Sequence, residues 1–444
     1  MEQLLQLIKK CIPRSLFKKL QPTYHLLLNW FAAVRYGHPS EEMIVIGVTG
    51  TTGKTTVVYM IAQMLQNAGV KVGYTSTAMF GDGDREWLND KKMTMLGRFF
   101  TQRMLRTMKS NGCTVAIVET TSEGAVQFRH RFINYDLFVF TGLYPEHIDS
   151  HGSFANYKAA KLSLFAHLEQ CKKKSHFQGD KSIIVHGDDD HAIDFLRFHG
   201  VTKKVFARSQ SEIDHLCGEK VLYNYRETNT RGVRFDFDGQ EIQLQLLGDF
   251  TATNACAAGA VGQALGLDLG QIKDGLEAIE GVPGRLERIH AGQDFEVIVD
   301  YAFEPVAVAK LYETVRYLQP ARIIHVLGST GGGRDVSRRG DLGQIAGQKA
   351  DIVIVTNEDP YDDDPREIME DVAVGARMSG KVDAKDLYSI EDRREAIEKA
   401  LSVAQVGDVV LITGKGCEQA IAVADGKKIP WDDRRVVRDV LQDK

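Results

Sequence analysis

Eight short runs of β-branched and aliphatic residues recur along the chain from Met43 onward: MIVIGV, TVAIVE, DLFVFTGL, KSIIVHG, EVIVDYA, RIIHVLG, DIVIVTNED and DVVLITGKG. They are apolar without a break rather than at alternate positions, the pattern of a strand covered on both faces. Helix-length amphipathic stretches, such as TTVVYMIAQMLQNAG and REAIEKALSVAQ, separate most of them. This alternation predicts an α/β fold with mainly parallel sheets, whose ligands lie at the carboxyl ends of strands. The stretch from about Phe206 to Leu247 differs. VRFDFDGQEIQLQLL alternates polar and apolar residues, predicting antiparallel strands appended to the first unit.

A break falls at EGVPGRLE, around Gly281–Arg285, after a helix-like segment and before a fresh series of strands. The 444 residues therefore divide into a short helical segment over 1–40, a P-loop ATPase domain over 41–284 and a Rossmann-like α/β C-terminal domain over 285–444. The first segment has leucines at near-helical spacing and a basic excess. It reads as a helical hairpin packed on the protein itself; the other reading is a basic amphipathic helix on a membrane surface. A net charge of −5 carries no basic excess for binding nucleic acid. The six cysteines are scattered with no CxxC pair, which argues against a zinc ribbon or a disulfide framework and for a reducing, cytoplasmic setting.

The most specific local signal is IVIGVTGTTGKTTVVYMIAQML, a strand, a glycine-rich turn and a helix. Gly50 and Gly53 let the backbone curl so that the N–H groups of Gly50, Thr51, Thr52, Gly53, Lys54, Thr55 and Thr56 face an anion, with the helix dipole behind them. Lys54 would neutralise terminal phosphates and the Thr55 hydroxyl would hold Mg²⁺. The strict GxxxxGK[ST] spacing fails, because Val48 stands at the first glycine position. Glu119 ends TVAIVE and would point into a ligand crevice; alone, it reads equally as a solvated strand-end acid.

Three pieces in order, GTTGKTT, VETTSEG and PEHIDSHGSFANYKAAK, resemble the Mur ligase family of ATP-dependent amide-bond ligases, and within it the UDP-N-acetylmuramyl-tripeptide synthetase type. The resemblance continues through LGDFTATNACAA, GVPGRLE, VDYAFEP, GSTGGGRDVSRR, NEDP, TGKGCE and PWDDR. It implies that ATP phosphorylates a carboxylate and that an amine then displaces phosphate. It assigns Mg²⁺ ligands to Thr55, Glu119 and His147, and a carbamylated lysine to Lys161, which otherwise reads as a solvated surface lysine. Asn254 falls where the family contacts adenine, Arg285 where it binds phosphate and Asp300 where it binds ribose. Ser122, Glu358, Asp359, Lys415 and Glu418 fall on the substrate side. The implied partners are an amino acid and a carboxylate acceptor, a UDP-N-acetylmuramyl peptide in the leading reading. A non-UDP carboxylate and a catalytically silent nucleotide-binding partner are the alternatives.

Several positions depart from the pattern. The family's usual N-terminal UDP-gripping domain is expected to be missing, since about forty residues precede the phosphate loop. Glu123 and Phe303 each stand where the family carries histidine. Cys417 replaces the histidine of GKGHE. Tyr361 takes the place of the arginine in a DNPR-like motif, and it lacks the forked charge that clamps a carboxylate.

Overall fold

The computed structural model describes residues 14–145, 151–333 and 336–442, with side chains from Gln21 onward. Eleven strands form one sheet: β1 (Ile44–Thr49), β2 (Val72–Thr75), β3 (Met79–Gly81), β4 (Glu86–Leu88), β5 (Val115–Glu119), β6 (Leu137–Phe140), β7 (Ser182–His186), β8 (Thr202–Arg208), β9 (Glu219–Asn229), β10 (Gly232–Phe237) and β11 (Gln240–Leu244). Their order is β11-β10-β9-β8-β7-β6-β1-β5-β2-β3-β4. Every pair from β2 through β9 is parallel, and antiparallel hairpins extend both edges.

The predicted antiparallel region is present, but it starts later than Phe206. That residue lies in β8, which pairs parallel to β9. Antiparallel pairing needs a tight return, and in this stretch the first one follows β9. The next turn is Asp238-Gly239, with φ of 45° and 85°, the two positive values that a type I′ hairpin demands.

Six more strands form a second sheet: β12 (Glu287–Arg288), β13 (Glu296–Asp300), β14 (Ile323–Leu327), β15 (Ile352–Val355), β16 (Leu387–Ser389) and β17 (Val409–Thr413). Their order is β12-β13-β17-β14-β15-β16, parallel except for β12. All eight runs read as strands lie in these two sheets. Helices cover both faces of each, and the apolar side chains divide into two buried clusters per sheet, as doubly covered strands require.

Helix α1 (Arg14–Tyr36) is one continuous helix, not the expected hairpin over this stretch. Pro22 lies inside it; a proline removes one backbone donor, which weakens the helix there without ending it. Of the first arm of the expected hairpin, residues 14–20 belong to this helix and residues 1–13 lie outside the described residues. Asn29, Ala32 and Ala33 are buried, and α1 packs on α3 (Arg98–Ser110). Helix α2 (Lys54–Asn67) follows β1; α4 (Phe154–Gln170) begins at Ser153, whose side chain accepts from Asn156 N, a normal N-cap. Helix α5 (Phe250–Ala264) packs on α2. No helix among the described residues is long and apolar enough to cross a membrane.

Candidate functional site

The carboxyl end of β1 runs into the glycine loop. Gly50 has φ 157° and Gly53 φ 80°. A side chain at Gly50 would meet Thr141 Oγ1 at 2.0 Å, and one at Gly53 would meet Asn254 Oδ1 at 2.6 Å. Both positions therefore need glycine for room, and Gly53 needs it for backbone conformation as well. Asn254, on α5, is thus placed against the phosphate loop itself.

Cationic and polar groups converge there. Lys54 opens α2 and curls back, its Nζ donating to the carbonyls of Gly50 at 3.1 Å and Thr51 at 2.7 Å. Lys161 Nζ, 1% exposed, donates to Gly50 O at 2.7 Å and lies 4.6 Å from the Tyr157 ring centroid. Thr51 Oγ1 pairs with Tyr157 OH at 3.1 Å, while the Thr52 carbonyl accepts from Thr141 Oγ1 at 2.6 Å. Arg285 Nη2 lies 3.5 Å from Thr55 Oγ1, and its buried Nε has no hydrogen-bond partner among the described residues. Thr56 sits in the first turn of α2.

Glu119 closes this group at the end of β5. It is 1% exposed and accepts from Thr55 Oγ1 at 3.0 and 3.1 Å, from Thr77 N at 2.7 Å and from Thr77 Oγ1 at 2.9 Å. A buried carboxylate beside a threonine hydroxyl at a helix N-terminus is a hard-oxygen donor set suited to Mg²⁺. Lysines, an arginine with an unused buried donor and a positive helix end suit the phosphates of ATP. The residues present fit both groups. Among the described residues no cluster of three His, Cys, Asp or Glu could hold a metal ion by itself, so these carboxylates need hydroxyl, water or phosphate oxygens to complete a shell. His147 lies outside the described residues.

Beside the loop, Ser122 Oγ pairs with His151 Nε2 at 3.0 Å, and the His151 ring packs edge-on to Tyr157. Glu123 stands where the family has histidine, yet an imidazole reaches Ser122 from elsewhere in the chain. Burial lowers the pKa of His151, favouring the neutral ring.

The second group lies at the carboxyl ends of β15 and β17. Lys415, fully buried, bonds Asp359 Oδ1 at 2.9 Å and Glu418 Oε2 at 2.5 Å. Lys92 enters from the loop between β4 and α3. Its Nζ reaches both Asp359 oxygens, at 2.7 and 2.8 Å, and Glu418 at 3.1 Å. Burial pushes the Lys92 pKa down, reinforced by the Lys415 ammonium. Burial pushes Asp359 up, but the two lysines win and hold it below its ordinary value. Glu358 is different: burial and then the Asp359 charge raise it to about 7.

Tyr301 joins the two groups. The Arg285 guanidinium lies 4.3 Å from its ring centroid, and its hydroxyl is 3.5 Å from Glu418 Oε1. Asp300, next to it, accepts from Leu286 N at 2.6 Å and Ala302 N at 2.7 Å. Burial raises the Asp300 carboxyl against the pull of Arg285. The Gly284 backbone lies on the 416–417 peptide; a Cβ there would be 2.1 Å from Cys417 N. That contact fixes where Arg285 stands. The Cys417 thiol is pushed by burial to about 11 and is neutral at pH 7. Phe303 packs against Tyr301, and the Arg338 guanidinium lies over its ring.

The structure thus brings the loop residues, Glu119, Lys161, Asn254, Arg285 and Asp300 into one neighbourhood, and Glu358, Asp359, Lys415 and Glu418 into an adjoining one. Sequence reasoning missed Lys92, Thr77, Tyr301 and His151. Lys92 sits in NDKKM, a charged stretch with no motif. His151 lies within PEHIDSHG, whose crowding of polar groups was itself the signal.

Known proteins resemble this chain along most of its length. The Mur ligase middle domain matches residues 48–262 and the Mur ligase, glutamate ligase domain matches residues 284–416. The UDP-N-acetylmuramyl-tripeptide synthetase of Roseiflexus sp. (strain RS-1) is 36% identical over 427 residues, 95% of this chain and 82% of that one. The enzyme of the same name from Borreliella burgdorferi is 35% identical over 93% of this chain and 79% of its own length. A solved UDP-N-acetylmuramoyl-L-alanyl-D-glutamate–2,6-diaminopimelate ligase superposes with a TM-score of 0.60 at 27% identity, over 90% of this chain and 78% of that one. A Mycobacterium tuberculosis folylpolyglutamate synthase shares the fold, with a TM-score of 0.67 at 20% identity over 88% of this chain and 93% of that one.

Proposed function

The chain belongs to the Mur ligase family of ATP-dependent ligases, and we propose that it joins an amino acid to the carboxylate of a UDP-N-acetylmuramyl peptide, a peptidoglycan precursor. The acceptor carboxylate takes the γ-phosphoryl group of ATP, releasing ADP. The amine nitrogen then attacks the acyl carbon, an amide forms and phosphate leaves. One observation carries this reading: Tyr301 stands between the cation-lined loop and the acid–lysine cluster, so the phosphorylated and amine partners are served by adjoining groups.

Lys54, Arg285 and the loop N–H groups offset phosphate charge; in such transfers positioning and charge neutralisation supply most of the catalysis. Bound Mg²⁺ would add Lewis-acid neutralisation, held by Thr55 and Glu119, with His147 and Lys161 as further ligands. Asn254 and Asp300 hold the nucleoside end. Ser122 lines the acceptor side with His151 behind it. Asp359, Lys415 and Glu418 orient the amino acid, whose ammonium must lose a proton before attack. Glu358, raised to about 7, has the midpoint of a base for that step. The Lys161 amine, buried at the loop, is suited to reaction with CO₂; the product, a carbamate plus a released proton, is an anionic oxygen ligand in place of a repelling ammonium.

We divide the chain at 40 and at 284. The gap between the two family matches and the start of the second sheet at Glu287 support the later boundary. We place the protein in the cytoplasm, in keeping with the free thiols of Cys113, Cys171, Cys217, Cys256 and Cys417.

The test is a product assay by mass spectrometry. Enzyme, ATP, Mg²⁺ and UDP-N-acetylmuramyl-dipeptide are mixed with amino acids one at a time, with ADP followed in parallel. A mass gain of one amino-acid residue with matching ADP is expected. ADP without any coupled product, across the panel, would refute the assigned acceptor.

A further inference from the structure

The outer face of α1 is apolar and open. Leu27 is 59% exposed, Trp30 49%, Phe31 53% and Val34 46%, at the i, i+3, i+4, i+7 spacing of one helix face, with Tyr24 and Leu26 flanking. The face does not end with α1. The Phe31 ring packs edge-on to Phe99 of α3, itself 38% exposed. Large contiguous apolar patches on a protein surface mark an interaction site rather than ordinary exposure.

The two helices themselves carry charge of one sign. The segments Arg14–Tyr36 and Arg98–Ser110 together carry eight Lys and Arg and no Asp or Glu, in a chain whose net charge is −5. Arg35, Arg103 and Arg106 are exposed, and Arg98 stacks beside the Tyr24 ring. The acids nearest in sequence to the end of α1 are Glu41 and Glu42, and Glu42 is paired with Lys109.

We propose that this face of α1 and α3 docks on an anionic lipid bilayer surface, with α1 lying in the interfacial plane. Aromatic and aliphatic side chains enter the headgroup boundary while the flanking cations meet lipid phosphates, the arrangement of interfacial amphipathic helices. A second copy of the chain is disfavoured on charge. A two-fold pairing presents the same patch to itself, setting cationic rims against each other without an acid in either helix. The helix lies on the surface and does not span it, consistent with the lack of any spanning helix among the described residues.

The full chain would be sedimented with vesicles of phosphatidylcholine containing phosphatidylglycerol and, separately, of pure phosphatidylcholine. Binding should be about tenfold tighter or more on the anionic vesicles and should weaken as salt is raised. Leu27→Glu with Phe31→Glu should abolish it while leaving nucleotide binding in solution unchanged, since both side chains are outward. Arg103→Glu with Arg106→Glu should remove the anionic preference. Equal binding to both vesicle types, or none to either, overturns the proposal. So does a dimer, seen by analytical ultracentrifugation, that the Leu27/Phe31 variant abolishes in the absence of lipid.

Discussion

Glu358 offers the sharpest quantitative test of the second cluster. It follows β15, is 2% exposed, and its Oε2 has no hydrogen-bond partner among the described residues. Burial and then Asp359 raise its carboxyl from 4.5 to about 7, against the opposing charges of Arg393 and Lys415. In the unfolded chain the group titrates near its ordinary value. Between the two midpoints the folded protein therefore keeps a proton that the unfolded chain has released. Stability from this group is fully present below the unfolded midpoint and is lost as pH rises toward 7. The loss across that window is about 3 kcal/mol. Glu358→Gln preserves shape and cannot ionise, so it should erase this dependence. Urea denaturation of both proteins, read through the second sheet by amide exchange, should give stabilities that diverge by about that amount between pH 4.5 and 7.5, with the wild type losing more. The buried His325, depressed to about 3 by desolvation, charges only in the unfolded chain and destabilises on acidification. It is common to both proteins and cancels in the difference. Parallel pH dependences would refute the placement of a buried carboxyl with a raised midpoint here.

Three further outcomes are expected. Lys54→Ala should abolish turnover while the fold survives, as circular dichroism would show; retained activity would remove the phosphate-loop assignment. Lys161→Ala should lose most activity, and a small carboxylate such as acetate should restore part of it if an anionic oxygen ligand is what the lysine supplies; rescue by a small amine instead would point to an ammonium. Lys92→Met should cost on the order of 3 kcal/mol, because it leaves the buried Asp359 and Glu418 with a single counter-charge; chemical denaturation measures it, and a loss below about 1 kcal/mol would show that Lys415 alone suffices.

What could be read from the sequence follows from how each element is buried. The eight strands found in advance are those covered on both faces, where selection for apolar side chains leaves an unbroken run. Strands β2, β3, β4, β12 and β16 carry no such run. The glycine loop was legible because glycine, lysine and threonine each answer a local need within a few residues. Lys92 was not, because its need is set by Asp359, 267 positions away. Tyr301 reads as an ordinary strand-end aromatic until the fold puts Arg285 on its ring and Glu418 at its hydroxyl. The helical N-terminus was foreseen, but its single continuous helix was not, since a proline in an exposed helix weakens it by one bond without dictating a turn.

The Tyr301 bridge has a thermodynamic corollary. Any ligand that fixes Arg285 also restricts the ring beneath it, and so the environment of Glu418. Two ligands that meet through this residue should therefore have coupled affinities. Whatever factor nucleotide imposes on amino-acid binding, the amino acid must impose on nucleotide binding in return. On the proposed assignments, Tyr301→Phe, which keeps the stack and removes the hydroxyl, is the substitution that should uncouple nucleotide from amino-acid binding.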